Sequence, residues 1–223
     1  MTPPLSGATR DARAHLASLA ARYHRAGWLL GTSGNLSAKV GDRVVITASG
    51  KDKAVLGHDD FVEFALPQTS GFTADALVLG AGPGARLSAE TSIHLALYAA
   101  RPTAQVILHV HTLASTLALP DAASAPGREL GHLAFRDVEM IKGWGLWSPD
   151  AVAHLPIFAN HADVPAIAAD VHAYYTARPE AEADVPAFLI RHHGLTAWGA
   201  DFHAANRHVE ITEFLCQLAR ARR

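Results

Sequence analysis

The fold and the candidate chemistry of this chain both start from one stretch, Val106-Ile107-Leu108-His109-Val110-His111. Its apolar and β-branched residues predict a strand, and side chains along a strand alternate between two faces. His109 and His111 therefore project from the same face, about 6.6 Å apart along the strand, whereas Leu108 and Val110 pack on the other side. Two imidazoles at that separation can converge on one metal ion. Two polar residues on a solvated strand face would give the same pattern, so the pair alone leaves both interpretations open.

Strand and helix patterns alternate through the rest of the chain. Leu36 to Val40 and Arg43 to Thr47 are strand-like and meet at the tight turn Gly41-Asp42, which predicts a hairpin. Ala187 to Arg191 and Leu195 to Trp198 predict a second hairpin through His193-Gly194. Further strands are predicted at Phe61 to Leu66, Ala76 to Leu79 and Ala153 to Phe158, and helices at Asp11 to Leu30, Ser88 to Arg101, Leu113 to Leu119, Val164 to Arg178 and Phe202 to the C-terminus.

The order of these elements indicates one layered domain. Strands interleaved with helices, with at least two hairpins, predict an α/β domain whose sheet is mixed or largely antiparallel. No linker rich in Pro or Ser divides residues 1–223, and the sequence shows no internal repeat. We expect residues 1–10 to be flexible and Pro120 to His132 to form a loop.

Composition excludes several classes of protein. Of the 223 residues, 49% are hydrophobic and 18% are charged, which is a globular rather than a disordered composition. The formal net charge of −2 argues against nucleic-acid binding, which needs a basic excess. No run of about 18 apolar residues is present to cross a membrane, and Met1 to Leu5 lacks the features of a signal peptide. The single cysteine, Cys216, excludes an intramolecular disulfide, fits a reducing cytoplasm and is expected in the core.

Histidine is abundant, with 14 in the chain, and it both ligates metals and transfers protons near neutral pH. At His192-His193-Gly194 a strand ends in an imidazole at the rim of the sheet, where glycine permits a sharp turn. Together with His109 and His111 it would give three imidazoles and an open position, the arrangement of a catalytic zinc site. Alternation gives only one of His192 and His193 the right face, and spacing alone does not choose between them. An ordinary hairpin end is the other interpretation.

Two carboxylates and two glycine loops are further candidates. Glu90 lies in the first turn of a predicted helix, where interaction with the helix dipole is a sufficient explanation. Glu139 lies between apolar residues, and an outward-facing side chain is the simplest account of it. The loops Ser33-Gly34-Asn35 and Ser49-Gly50 present backbone N–H groups and hydroxyls that suit a phosphate, although short glycine loops are also common turns.

These motifs, in this order along the chain, resemble the class II aldolase/adducin family, and the resemblance covers nearly all of the sequence. It implies a single-domain, three-layer α/β/α fold with a mixed, largely antiparallel central sheet. It also implies one zinc ion per subunit, held by His109, His111 and His193, which selects His193 over His192. The partners implied are a phosphorylated ketose substrate and other copies of the chain in a homotetramer.

Within the family, three stretches most resemble the dehydratases that remove water from a methylthio ketose 1-phosphate in methionine salvage: Gly31 to Ser37, Thr47 to Lys53 and Glu139 to Gly143. This resemblance implies that Glu139 is the main acid/base and that Glu90 is a second carboxylate beside the metal. The resemblance to the family as a whole also implies a phosphate site, formed by Asn35, Ser49, Gly50 and Ser88. Ala89 stands where the aldolases often have a second serine, which removes one phosphate contact.

Two other functions remain open on the sequence. An aldolase or epimerase acting on fuculose or ribulose phosphates would use the same zinc chemistry, and a non-catalytic adducin-like domain would use the fold for interaction. The intact set of ligand residues argues against the second. Trp144 and Trp147 flank Gly145 near Glu139, and they are expected either to anchor a subunit interface or to pack in the chain's own core.

Overall fold

The computed structural model describes residues 7–66, 78–118, 129–178 and 185–222. The helices are α1 (Gly7–Arg25), α2 (Thr91–Ala100), α3 (Leu113–Leu117), α4 (Val164–Thr176) and α5 (Phe202–Ala221). The strands are β1 (Asn35–Val40), β2 (Arg43–Thr47), β3 (Phe61–Ala65), β4 (Val78–Ala81), β5 (Val106–Val110), β6 (Glu129–Arg136), β7 (Val152–Phe158), β8 (Ala187–Ile190) and β9 (Gly194–Gly199). Short 3₁₀ helices cover Leu30–Thr32 and Glu139–Trp144.

The strand that carries the His-Val-His motif is β5, and it lies at the centre of the sheet. Within the described ranges the strand order is β4-β3-β2-β1-β5-β9-β8-β7-β6, and β7–β8 is the parallel pair among antiparallel neighbours. This confirms the mixed, largely antiparallel sheet and both predicted hairpins. On either side of β5, Asn35 of β1 and Thr196 of β9 lie in register with His109. Both flanking strands therefore place a polar side chain beside that histidine.

Helices cover both faces of the sheet, each over its own hydrophobic core. On one face Leu108 and Val110 pack with residues of α1, α3 and α5. On the other face Ile107 packs with residues of α2 and α4. The alternation of side chains along β5 accounts for this division, and it puts His109 on the face that α2 covers. The three-layer α/β/α fold is confirmed. Cys216 is fully buried in the first of these cores, as expected.

The first helix ends earlier than its apolar pattern predicted. The prediction extended it to Leu30, but α1 stops at Arg25 and Gly27 takes a left-handed φ of +78°. The N–H groups of Gly27 and Trp28 then bond back to the carbonyls of His24 and Tyr23, a Schellman motif that terminates the helix. At its other end the helix includes residues 7–10, whereas the rest of the segment predicted to be flexible lies outside the described residues.

Two further predictions differ from the structure. The stretch Pro120 to His132 was expected to be a loop, yet β6 begins at Glu129; residues 120–128 lie outside the described part of the chain. Ser88 was expected to cap the next helix, but Glu90 occupies the N-cap position of α2 and the Ser88 hydroxyl instead accepts from the Glu90 N–H at 3.3 Å. Part of the predicted strand Ala76 to Leu79 also lies outside the description, which resumes with β4. None of the described helices combines the length and apolarity needed to cross a bilayer.

Candidate metal centre

Two histidines of the central strand form the middle of a candidate metal site. His109 is the fourth residue of β5 and His111 follows the end of the strand, so both side chains leave the same face. Their Nε2 atoms lie 2.9 Å apart. His109 Nδ1 lies 2.9 Å from the hydroxyl oxygen of Thr196. A hydroxyl that accepts from Nδ1–H keeps the proton off Nε2 and leaves that nitrogen free to bind a cation.

The third imidazole comes from the turn between β8 and β9. The ring centroid of His193 lies 5.0 Å from that of His109 and 4.5 Å from that of His111. His192 is exposed, has a left-handed φ of +54° and contacts the side chain of Arg191. The left-handed residue reverses the chain, and the two consecutive histidines point in different directions. The structure therefore brings His193, and not His192, to the pair.

Glycine allows this turn to lie directly against β5. A Cβ atom on Gly194 would lie 2.4 Å from the carbonyl oxygen of Val110 and 3.0 Å from Cδ2 of His111. The first distance is too short for a carbon atom and the second is tight, so a larger residue would force β9 away from β5 at the position of the histidines.

A carboxylate completes the cluster. Glu90 Oε1 lies 2.8 Å from His193 Nε2 and 3.6 Å from His109 Nε2. One potential ligand atom from each of Glu90 and the three histidines lies within 4.8 Å of the others. The second carboxylate oxygen, Oε2, accepts a hydrogen bond from Nδ2 of Asn35. Residues from α2, β5 and the β8–β9 turn thus converge on one point.

Burial and mutual proximity set the protonation states of the cluster. Burial lowers the pKa of His111 to about 4 and lowers the pKa of His109 well below its usual value. Burial alone would raise the pKa of Glu90, but the adjacent imidazoles of His109 and His193 hold it well below its usual range. At neutral pH His109 and His111 are therefore neutral and Glu90 is ionised, which are the forms that bind a metal ion.

A cavity of about 330 Å³ opens beside the cluster. Glu90 and His111 form part of its wall. The rest of the wall includes all four residues expected to bind phosphate, Asn35, Ser49, Gly50 and Ser88. β1, the loop after β2 and the segment before α2 each supply part of this wall, so residues far apart in the sequence face one space.

Lys53 lines the same cavity and was not predicted as a site residue. It is 1% exposed, and its Nζ donates to the carbonyl oxygens of Thr32 and Lys51, each at 3.1 Å. Among the described residues no carboxylate oxygen lies within 4 Å of Nζ, whereas the neighbouring Lys51 is paired with Asp60 at 2.8 Å. Burial lowers the pKa of Lys53. The sequence carried a signal, a second lysine in a glycine loop, but only the fold reveals that its ammonium is buried.

Glu139 lies apart from the cluster within one chain. It begins a 3₁₀ helix, its side chain is 82% exposed, and Oε2 lies 2.8 Å from Nζ of Lys142. It lines a different cavity, of about 280 Å³, and is not among the residues that line the cavity beside the cluster. The structure therefore brings together every predicted site residue except this one.

The two tryptophans near Glu139 have different environments. Trp144 is 8% exposed and packs in the core of its own chain, as one of the two interpretations predicted. Trp147 is 71% exposed and lines the same cavity as Glu139. Only Trp147 is therefore available to anchor a subunit interface.

Comparison with known proteins agrees with this fold. A family model described as Class II Aldolase and Adducin N-terminal domain matches residues 14–220. A methylthioribulose-1-phosphate dehydratase from Microcystis aeruginosa is 39% identical, over 92% of this chain and 93% of the relative. Another from Leptospira biflexa is 37% identical, over 88% and 90% of the two chains. The crystal structure of YgbL from Escherichia coli superimposes with a TM-score of 0.71 at 20% identity, covering 94% of this chain and 88% of that one, which shows a shared fold.

Proposed function

This chain belongs to the class II aldolase and adducin family, and we propose that it is a zinc-dependent dehydratase of 5-methylthioribulose 1-phosphate. The products are 2,3-diketo-5-methylthiopentyl 1-phosphate and one water molecule, in methionine salvage. The observation that carries the proposal is the convergence of three imidazoles and a carboxylate beside a cavity lined by hydroxyls and a buried ammonium. The names of the two relatives support this substrate. The single buried cysteine supports a cytoplasmic location.

The donor set fits one zinc ion per subunit. His109, His111 and His193 offer imidazole nitrogens, which zinc accepts more readily than do the hard cations that prefer oxygen ligands. Zinc held there supplies Lewis-acid polarisation of a substrate carbonyl, which acidifies the adjacent C–H bond. The Thr196 hydroxyl orients His109 for this role by accepting from its Nδ1–H. Glu90 would lie beside the ion as a second carboxylate.

The part of the cavity wall formed by the glycine loops and the segment before α2 suits the substrate phosphate. Ser49 and Ser88 offer hydroxyl groups, Gly50 offers a backbone N–H, and Asn35 offers an amide. Lys53 adds the charge that these neutral groups lack. A buried ammonium without a carboxylate partner is costly, and an entering phosphate would compensate it. In this proposal the phosphate binds against these groups, and the reacting carbons lie beside the metal cluster.

Dehydration needs a group that removes the C3 proton and a group that protonates the leaving C4 hydroxyl, and we assign the main acid/base role to Glu139. Its own chain leaves this carboxylate exposed and away from the cluster. The assignment therefore requires that Glu139 reach the cavity of a neighbouring subunit in a homotetramer, with the exposed Trp147 at the boundary.

Subunit mixing tests this arrangement. Glu139→Gln and His109→Ala chains are each expected to be inactive as pure assemblies. Dissociated and reassembled together, they should regain activity, because an intact Glu139 from one chain can meet intact ligands of the other. No recovery in assemblies shown to be mixed would contradict action across a subunit boundary.

The proposed reaction itself is tested by the mass of the product. Purified protein loaded with zinc should convert 5-methylthioribulose 1-phosphate into a compound that has lost one water and kept every carbon. A triose phosphate and an aldehyde fragment would identify an aldolase, and an isomer of unchanged mass would identify an epimerase. Absence of both turnover and bound metal would favour the non-catalytic alternative.

A further inference from the structure

A continuous line of buried polar side chains leads to Glu90 from the interior of the protein. The Tyr98 hydroxyl lies 2.8 Å from Ser37 Oγ, and Ser37 Oγ lies 2.7 Å from Nδ1 of His94. His94 Nε2 bonds to Oδ1 of Asn35, and Asn35 Nδ2 bonds to Oε2 of Glu90. Of the four residues that lead to Glu90, none is more than 3% exposed. Water therefore has little access to any of these hydrogen bonds.

The line of polar side chains exists because the spacing of residues along α2 matches the spacing of residues along β1. Glu90, His94 and Tyr98 recur every four residues at the start of α2 and along it, about 6 Å apart for each step. Asn35 and Ser37 are two residues apart on β1, about 6.6 Å along the strand and on one face. The spacing of the helix residues thus matches the spacing of the strand residues. Where α2 packs along β1, each residue of one series contacts a residue of the other.

The chemistry of the groups fixes the direction of every hydrogen bond. The carboxylate of Glu90 can only accept, so Asn35 turns its NH₂ group toward it and its carbonyl toward His94. That carbonyl needs a donor, which places the proton of His94 on Nε2 and makes Nδ1 an acceptor. Ser37 then donates to Nδ1 and accepts from Tyr98. Every donor along the line points toward Glu90.

The neutral tautomer required for His94 agrees with its environment. The ring is fully enclosed, and this burial lowers the pKa of His94 to about 4. At neutral pH the ring therefore carries a single proton, and the Asn35 carbonyl places that proton on Nε2.

We propose that His94 is a positioning residue: acting through Asn35, it holds the Glu90 carboxylate so that one oxygen faces the metal cluster. Ser37 supports it by donating to Nδ1, and Tyr98 supports Ser37 in turn. The geometry matches this role, since Oε2 is engaged by Asn35 while Oε1 faces His193 Nε2 at 2.8 Å. The inference rests on the proposed function only in taking the cluster to be a metal site. With its carbonyl bonded to His94 and one N–H bonded to Glu90, Asn35 has a single N–H left for the substrate phosphate.

The test compares His94→Leu with two reference variants in protein loaded with cobalt(II), whose visible absorption bands depend on the ligands around the ion. His94→Gln keeps a donor near the Nε2 position. His208→Leu removes another buried histidine, bonded to the Trp198 carbonyl at 2.6 Å on α5 in the opposite helical layer. Zinc affinity is measured by competition with a chelator, and unfolding by urea is measured alongside.

His94→Leu should shift the cobalt bands and weaken zinc binding about 10- to 100-fold, the usual effect of losing support behind a ligand. His94→Gln should restore most of both, whereas His208→Leu should lower stability and leave the bands unchanged. Turnover of 5-methylthioribulose 1-phosphate by His94→Leu should fall in kcat more than it rises in KM. If His94→Leu does not fold, Ser37→Ala tests the same line and should produce a smaller shift of the same bands.

Wild-type bands and wild-type zinc affinity in a folded His94→Leu or Ser37→Ala protein would overturn the proposal. Shifts equal to those of His208→Leu would also overturn it, because they would reflect general loss of stability. If the cobalt bands shift as expected but the wild-type protein does not dehydrate its substrate, the positioning role stands and the proposed reaction fails.

Discussion

Replacing Gly34 by alanine is expected to damage the metal centre through the backbone rather than through a ligand. Gly34 precedes Asn35 and has a φ of +70°. A Cβ atom there would lie 2.2 Å from Cδ2 of Leu29 and 2.7 Å from the carbonyl oxygen of His109. Leu29 is fully buried, and the carbonyl belongs to β5, so neither neighbour can move without displacing the packing around the cluster.

The size of the effect can be worked out against Gly41, which has a similar φ of +62° and open space where its Cβ would lie. Both alanine variants carry about 1–2 kcal/mol of strain from the left-handed backbone. Gly34→Ala adds overpacking, which typically costs about 1–3 kcal/mol. The free energy of unfolding should therefore fall about 1–3 kcal/mol further in Gly34→Ala than in Gly41→Ala.

Urea unfolding of both variants, with metal removed by a chelator, measures this difference directly. Zinc affinity of the folded proteins should also separate them, with a loss of about tenfold or more in Gly34→Ala and little change in Gly41→Ala. Equal unfolding midpoints for the two variants, together with wild-type zinc affinity, would refute the claim that glycine is needed for close approach to β5.

Three further predictions concern single groups at the site. His193→Ala should lose bound zinc in metal analysis while His192→Ala retains it, and the reverse result would exchange the two assignments. Lys53→Met should weaken binding of inorganic phosphate by about 10- to 100-fold, as expected for a lost charge-assisted hydrogen bond, whereas Lys51→Met should not weaken it. Equal phosphate binding by the two variants would remove Lys53 from the phosphate site. The metal-free protein should lose stability as pH falls from about 6.5 to about 4, because His94 takes up a proton in that window when unfolded but not when buried, where its pKa is about 4. The unequal protonation of His94 contributes about 3 kcal/mol to this loss. Urea unfolding at both ends of the window should therefore show a smaller change of the unfolding free energy with pH in a His94→Gln variant.

The central strand and its two histidines could be predicted because strand alternation is a local rule. The choice between His192 and His193 could not be made from that rule, since it depends on the left-handed turn residue between two strands. β6 was missed for a related reason. It contains Gly131 with a φ of +125° and a register shift after Glu129, and its pattern is irregular even though β7 pairs with most of its length.

The support for Glu90 was visible in the sequence only as two separate spacings. Glu90, His94 and Tyr98 recur at four residues, and Asn35 and Ser37 at two, but nothing in either series indicates that the two face each other. Their pairing depends on how α2 packs across the sheet, which is a long-range property of the fold. Lys53 was overlooked because a lysine in a polar glycine loop is usually solvated, and its burial depends on contacts with the distant loop at Thr32.

The central position of β5 in the sheet also determines at which stage of folding the metal site forms. Strands on both sides of it come from distant parts of the chain, and the bond between His109 and Thr196 spans 87 residues. Closing such long loops is slow, and it must precede the meeting of His193 with Glu90, His109 and His111. The unfolded chain holds the four ligands in no fixed arrangement, so an ion that binds all four of them favours the folded chain and draws the equilibrium toward it. During synthesis the last ligand follows β8, so metal uptake is a late event that marks the completion of the sheet.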